Sequence, residues 1–338
     1  MLTSAFDYNL PEVLIAQEPR PRGEARMLVL HRRTGEIEHR KFQDLMEYVR
    51  AGDSLVVNDT RVIARKLKAI RTSGLPADVL LLHPEGEKEW RALIRPARRI
   101  RIGDRLTICA GNAREVCAEI TGVTEEGGRI LKFGSRSARD ALGLAGEAPL
   151  PPYIHSKLVD EERYQTVYSE YPGSAAAPTA GLHFTNEMLE RCAGKGIGLA
   201  RITLHVGIDT FRPLRVAELD DHKMHGESVR ISEHEAAIIN ATTGRIVAVG
   251  TTTVRALESA ATGPRSIAAF RGETCLFIKP GFEFRVVDCM LTNFHLPKST
   301  LLALVSAFAG RENILEAYRQ AAALKYWFYS FGDAMLIL

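Results

Sequence analysis

The chain is poor in the residues that staple small proteins or hold structural zinc. Only five of its 338 residues are cysteine: Cys109, Cys117, Cys192, Cys275 and Cys289. The number is odd, the spacing is wide and no Cys-x-x-Cys occurs, which argues against a disulfide framework and a Cys-rich zinc site. Free thiols fit a reducing cytosol. No run of about 18 apolar residues is present, so no membrane span is expected. Met1 to Tyr8 lacks a basic flank followed by an apolar stretch, so no signal peptide is expected. Internal repeats and low-complexity tracts are also missing. The net charge is only +3, too small to point to nucleic acid by itself; the distribution of charge matters more.

What is present is ordinary globular composition, 46% hydrophobic and 25% charged. A chain of this length exceeds what one hydrophobic core usually serves, so two domains are expected. Residues 1–62 mix short elements, with buried-type strands at 26–31 and 54–57, the second ending in the turn signal Asn58-Asp59-Thr60-Arg61. From 63 to 134 the texture is β-rich. Short runs at 66–70, 78–82, 90–94, 105–109, 115–120 and 129–133 alternate with Gly-containing turns, which suggests a small all-β barrel or sandwich. Pro149, Pro151 and Pro152 make a stiff exit. Beyond them, helices are expected at 186–192 (entered at Thr185 and stopped by Gly194), from the capping box at Ser232 to Gly244, and at 254–261, 301–308 and 314–324, with a strand at 245–249. Alternating strands and helices imply an α/β domain. The expected organisation is a discontinuous α/β main domain, 1–62 plus 149–338, built on a mixed sheet or barrel with helices, and an inserted small all-β barrel domain at 63–148.

Basic residues concentrate in that β region. Between Arg61 and Arg105 twelve Lys or Arg stand against five acidic residues, densest at Arg95, Arg98, Arg99 and Arg101. Such an excess can neutralise phosphates, or simply form a solvated rim. Trp90 is essentially the lone aromatic there, so backbone contact with a folded RNA fits better than base stacking.

Polar motifs crowd the second half. Ala177-Pro178-Thr179-Ala180-Gly181-Leu182-His183-Phe184-Thr185 precedes a helix start, where amides suit an anion and His183 could add acid/base chemistry, or merely pack a loop. In Arg201-Ile202-Thr203-Leu204-His205-Val206-Gly207, strand alternation puts Arg201, Thr203 and His205 on one face. His222-Lys223-Met224-His225-Gly226-Glu227 lacks the His-Glu-x-x-His spacing of a zinc site; an acid/base pair of His225 with Glu227 is the better reading. Val249-Gly250-Thr251-Thr252-Thr253-Val254-Arg255 reads as a strand, a Gly and a helix start that could cradle a ligand, or as a plain strand-to-helix join. It has neither Gly-Lys-Ser/Thr nor Gly-x-Gly-x-x-Gly. Asn293 and His295 are expected on an irregular segment within Leu291-Thr292-Asn293-Phe294-His295-Leu296-Pro297-Lys298-Ser299-Thr300. The last motif is Tyr329-Ser330-Phe331-Gly332-Asp333-Ala334-Met335, in which Asp333 could hold a turn.

Taken in order, these motifs, together with Val57-Asn58-Asp59-Thr60-Arg61-Val62, resemble those of the S-adenosylmethionine:tRNA ribosyltransferase-isomerases of the queuosine pathway. The resemblance runs from Asp7-Tyr8 to the C-terminus. It implies an α/β main domain with an inserted β-barrel. It also implies transfer and isomerisation of the ribosyl part of S-adenosylmethionine onto 7-aminomethyl-7-deazaguanine at the tRNA wobble position, giving epoxyqueuosine, adenine and methionine. S-adenosylmethionine is then a consumed ribosyl donor, and no metal is expected. The implied partner is a tRNA with a GUN-type anticodon carrying that base; the implied protein is cytoplasmic, monomeric and not membrane-bound.

That chemistry needs a base for the acidic proton beside the sulfonium, an acid for adenine, and polar groups for the ribose. The candidates for proton transfer are His183, His205 and His225, with Glu227 tuning the last. Thr185, Thr210, Thr251, Thr252, Asn293 and His295 are candidates to hold the donor, and Arg255 to meet its carboxylate or a phosphate. Arg61, Arg95, Arg98, Arg99 and Arg101 are candidate RNA contacts. Three departures stand out: Asp209 replaces a usual Gly, Val62-Ile63-Ala64-Arg65 lacks a usual Pro, and Trp327 sits where Arg is common. Two rivals remain, a non-catalytic RNA-binding protein and an S-adenosylmethionine-dependent RNA methyltransferase; the latter normally shows a Gly-rich turn after its first strand.

Overall fold

The computed structural model describes residues 1–109, 115–124, 127–135, 146–207 and 214–338. Thr210 and Asp209 lie outside them. In chain order, β1 (Arg26–His31), β2 (Glu36–Lys41) and β3 (Ser54–Asn58) lead to a short β4 (Thr60–Val62). Then come β5 (Arg65–Arg71), β6 (Pro76–Pro84), β7 (Glu89–Arg95), β8 (Arg105–Cys109), β9 (Glu115–Val123) and β10 (Arg129–Phe133). A short β11 (Tyr171–Ser174) pairs with β4. The rest are β12 (Gly198–Leu204), β13 (Glu227–Ile231), β14 (Ile246–Val249), the small hairpin β15 (Ala261–Gly263) and β16 (Ser266–Ile267), β17 (Phe270–Thr274), β18 (Cys289–Asn293) and β19 (Ala334–Ile337).

The chain divides into two compact units, residues 1–60, 151–171 and 177–338 in one, and 61–150 with 172–176 in the other. The first is built on a nine-stranded mixed sheet of order β17-β13-β12-β3-β14-β18-β19-β1-β2. Its centre, β12-β3-β14-β18, is parallel. Every residue of β3, β14 and β18 is buried, as expected of strands covered on both faces. Val29, Leu55, Val57, Val249, Leu291 and Leu336 from the sheet pack with Phe42, Phe184 and Met188 in one apolar cluster.

Of the four parallel strands, β3 comes first in the chain, β12 second, β14 third and β18 fourth. Their spatial order is therefore 2-1-3-4. The chain steps from β3 to one side, then returns past it to the other, so the winding direction reverses between β3 and β14. In such sheets ligands settle outside the carboxyl ends of the strands at that reversal.

The second unit closes β10-β7-β6-β5-β8-β9 into a six-stranded antiparallel barrel. Alternate residues, among them Leu67, Val79, Leu81, Ile94, Leu106, Ile120 and Phe133, fill its interior. The α/β main domain with an inserted small barrel is thus the observed class. Arg129 is the barrel's exceptional interior residue. Its buried guanidinium donates to the carbonyls of Ile100, Gly127, Gly128 and Ala97. That anchors the turn Ala97–Arg99, from which Arg98 and Arg99 project exposed.

Several helix limits differ from expectation. The Ser232-capped helix ends at Asn240, not Gly244, because Gly244 is spent elsewhere: its amide bonds Gly52 O at 2.8 Å. The helix expected at 254–261 begins at Thr251. Gly250, at φ 91° and ψ 148°, takes a conformation open essentially to glycine alone. It turns the chain from β14 straight into the helix, so the three threonines are its first turn.

The Arg129 staple makes a prediction. Arg129→Met should lower unfolding stability by about 2–4 kcal/mol, since several carbonyls lose a charged donor. Urea denaturation of the full chain measures this; a loss under 1 kcal/mol would show the staple to be dispensable.

Candidate active site

A cavity of about 590 Å³, counted out to its open mouth, lies where the parallel strands end. Val206 follows β12, residues 250–252 follow β14, and residues 292–296 close β18. Residues 177–180, Tyr153, Tyr329 and Ser330 complete most of its wall. All belong to the first unit.

Its frame is set by Asn58, fully buried at the end of β3. The Asn58 Nδ2 donates to Leu204 O (3.0 Å) and Thr252 Oγ1 (3.2 Å). Its Oδ1 accepts from Leu204 N (3.0 Å) and Thr60 N (3.2 Å). Both amide hydrogens and both lone pairs are used, and three segments are joined through one side chain. Thr252, whose Oγ1 accepts there, also lines the cavity. Thr253 Oγ1 turns back to Val249 O at 2.7 Å, and Gly250 N fastens to Leu291 O at 2.8 Å. The cavity therefore meets the positive end of the helix Thr251–Ser259.

Asn293 is the last residue of β18, not part of an irregular segment. Its Oδ1 accepts from Thr179 Oγ1 at 3.1 Å, and its Nδ2 lies 3.3 Å from His183 Nε2. His183 stands behind Asn293, its ring 5.0 Å from that of Phe42. Burial, with repulsion from Arg22, pushes the His183 pKa down to about 4. A neutral ring accepting at Nε2 carries its proton on Nδ1. His295 lines the cavity and pairs through Nε2 with Thr292 Oγ1 at 2.9 Å. Burial drives its pKa down to about 3. Its backbone is held by Tyr318 Oη, which accepts from His295 N at 2.9 Å, and by Tyr8 Oη, which donates to His295 O at 2.5 Å.

Other expected residues are placed differently. Thr185 caps the helix Asn186–Gly194, accepting from Met188 N at 3.1 Å. Arg255 does not face a ligand. It is buried, ion-paired with Glu227, and donates to Leu276 O at 3.0 Å. Glu227 Oε1 in turn accepts from Gly207 N at 2.9 Å, so this carboxylate is engaged with an arginine and a backbone amide. His225 is exposed. His205, half-buried, bonds Thr60 Oγ1 through Nδ1 at 2.7 Å, one residue from the cavity-lining Val206. In the barrel unit, Arg95, Arg98, Arg99 and Arg101 are exposed and Arg61 is half-buried.

Sequence reasoning missed Thr179, Thr292, Tyr153, Tyr329 and Ser330 as wall residues, and Asn58 as the hub. The Asn-Asp-Thr-Arg turn at a strand end was the available signal for Asn58. Asp59 beside it accepts from Thr203 Oγ1 at 2.7 Å, and burial raises its pKa to about 6.

A parallel-sheet core with a polar cavity at its winding reversal, joined in one chain to a small closed barrel, defines an α/β ligand-binding protein of enzyme type. The family model described as queuosine biosynthesis protein matches residues 3–337, and the chain belongs to that family. It is 50% identical to an S-adenosylmethionine:tRNA ribosyltransferase-isomerase of Symbiobacterium thermophilum, with all of both chains covered. It is 48% identical to that of Staphylococcus saprophyticus, over 99% of each. The crystal structure of an S-adenosylmethionine tRNA ribosyltransferase from Thermotoga maritima is 40% identical, with a TM-score of 0.57, over 99% of this chain and 100% of that one.

Two predictions follow from the burial of these groups. Arg255→Met should cost about 3–5 kcal/mol by stranding the Glu227 carboxylate, and Arg255→Met/Glu227→Leu should recover most of it; a double variant no better than the single one contradicts this. For the histidines, a folded pKa below the ordinary 6.5 means stability is lost as pH falls from about 6.5 toward 4. Ring NMR signals of His183 and His295, assigned through His→Gln variants, should stay still between pH 5.5 and 8 (roughly the span over which an unperturbed His titrates); a midpoint near 6.5 refutes it.

Proposed function

We propose that the chain catalyses transfer and isomerisation of the ribosyl group of S-adenosylmethionine onto 7-aminomethyl-7-deazaguanine in the wobble position of tRNA. The products are epoxyqueuosine-tRNA, adenine and methionine. The observation that carries this reading is the convergence of four separate sequence motifs, around Thr179, Val206, Thr251 and Asn293, on one cavity. The RNA partner in this reading is a tRNA with a GUN-type anticodon, met in the cytoplasm by a monomer.

The wall suits the donor. Tyr153, Phe294 and Tyr329 offer aromatic surface for adenine or the sulfonium. The first turn of the helix Thr251–Ser259 offers positive potential for a carboxylate. The hydroxyls of Thr179, Thr251 and Thr252, with Asn293, suit ribose oxygens. His183 and His295, kept neutral by burial and paired with Asn293 and Thr292, are proposed to fix those side chains rather than to move the proton. Thr185 and Arg255 hold the scaffold; Thr210 stays in the proposed donor-binding set.

Among the proposed proton-transfer residues, Glu227 is paired with Arg255 and His225 is exposed. His205, oriented by Thr60 beside the cavity wall, is the residue proposed to move the proton. Arg61, Arg95, Arg98, Arg99 and Arg101 are proposed to meet RNA phosphates. The test is incubation of the chain with methyl-labelled S-adenosylmethionine and substrate tRNA. Adenine and labelled methionine should appear in equal amounts and only with that tRNA. Label in the RNA, or no adenine, refutes the reading. His205→Ala should slow single-turnover adenine release by about 100-fold or more; a rate within threefold of the parent removes His205 from the mechanism.

A further inference from the structure

A second, smaller pocket lies behind the candidate active site, lined by Pro19, Arg20, Arg163, His183, Ser330 and Phe331 among others. Ser330 belongs to the walls of both cavities. The Asn293–His183 contact joins them too, with Asn293 on the first cavity and His183 on the second.

Two guanidinium groups meet here. Arg20 sits over Trp327, its Cζ 3.7 Å from the ring centroid. Its Nε is buried yet makes no hydrogen bond. Its single ion-pair partner among the described residues is Asp333, at 3.4 Å. That carboxylate already accepts from the amides of Arg26 (2.8 Å) and Trp327 (2.7 Å). Arg163 donates to the carbonyl of Arg20 and has no carboxylate in ion-pair range among the described residues. Arg22, close by, is occupied by three carbonyls: those of Leu182, Glu162 and Gln165. Its pKa is lowered by burial and by Arg163, with Asp160 and Glu162 acting in the opposite sense. Around Arg20 and Arg163 themselves, Asp333 is the one carboxylate in ion-pair range among the described residues. A guanidinium fixed over an aromatic ring, its Nε facing Asp333 without a hydrogen bond, can offer its terminal N–H groups to an oxyanion in two-point fashion.

We infer that Arg20 and Arg163 form a binding site for a backbone phosphate of the substrate RNA, adjacent to the nucleotide whose base enters the main cavity. The inference rests on the proposed function. The Trp327 ring pre-orients Arg20 without adding a cation. The polar wall of Ser330, His183 and Asn293 ties that phosphate to the reacting cavity.

The experiment compares the full chain with Arg20→Ala, Arg20→Lys and Arg163→Ala. Binding of substrate tRNA without donor is followed across a KCl series, and binding of S-adenosylmethionine without RNA by calorimetry. Each Ala variant should weaken RNA binding about 10-fold and reduce the slope of log K against log salt by about one. Arg20→Lys should keep the slope yet weaken binding, because the charge remains and the planar stack does not. Donor affinity should stay within twofold. Unchanged RNA affinity and slope overturns the inference. So does weakened donor binding with normal RNA binding, which would give the pocket to the donor's carboxylate. Thermal midpoints within 3 °C of the parent are required of each variant; should Arg20→Ala unfold, Arg163→Ala decides alone. Failure of the proposed function would appear instead as missing adenine release by the parent chain, whatever its salt slope.

Discussion

The main site depends on one carboxamide. Asn58 bonds the end of β12, the turn after β3 and the first turn of the helix that follows β14. Parallel strands end with their backbone groups unpaired, and at a winding reversal the connecting segments diverge. That divergence opens a cleft, but it also leaves buried polar atoms that cost about 1–3 kcal/mol each if unmet. A single side chain with two donors and two acceptors resolves this at the residue where the cleft begins. An Asp could not donate, and a Leu could do neither. The cleft stays open because the bonds that hold its walls pass beneath it.

The same economy explains the histidines. His183 and His295 sit in a low-dielectric wall, and burial alone is enough to keep both uncharged. A neutral imidazole in such a place is a rigid acceptor rather than a proton store. Its value is angular, since it fixes which way Asn293 and Thr292 present their polar atoms. Gly181, within the same 179–183 turn, shows how tight this wall is. A Cβ there would lie 2.0 Å from Tyr168 Oη, so the motif's glycine is demanded by a neighbour rather than by an unusual backbone angle.

The architecture was legible because it is written in period and punctuation. Strands at 26–31, 105–109 and 129–133 match the structure residue for residue, and the cap oxygens of Thr185 and Ser232 accept from backbone amides as their chemistry requires. Helix limits failed where a glycine had two readings. Gly244 looked like a stop but serves a loop, and Gly250 looked like a loop but launches a helix. The site was less legible. Thr251, Thr252, Asn293 and His295 were found because their motifs are dense in polar atoms. Asn58 was hidden in what reads as a turn, Tyr153 carries no local pattern, and Tyr329 and Ser330 stand in a motif whose only visible chemistry was Asp333. Arg255 and Glu227 misled because sequence cannot show that two charges 28 residues apart satisfy each other.

Trp327 joins these threads. In sequence it is only a departure from a common Arg. In the structure its ring supports Arg20, and its amide is held by Asp333, the same carboxylate that faces Arg20. An Arg at 327 would add a further cation beside Arg20, and Asp333, raised in pKa by burial, is the one carboxylate in ion-pair range of Arg20 among the described residues. An indole face attracts a guanidinium without competing for anions. The substitution therefore preserves the orientation of one arginine while removing the repulsion of another. The pocket's cationic character then rests on Arg20, stacked on Trp327 and paired with Asp333, and on Arg163, bonded to the Arg20 carbonyl: two cations against one carboxylate in ion-pair range among the described residues.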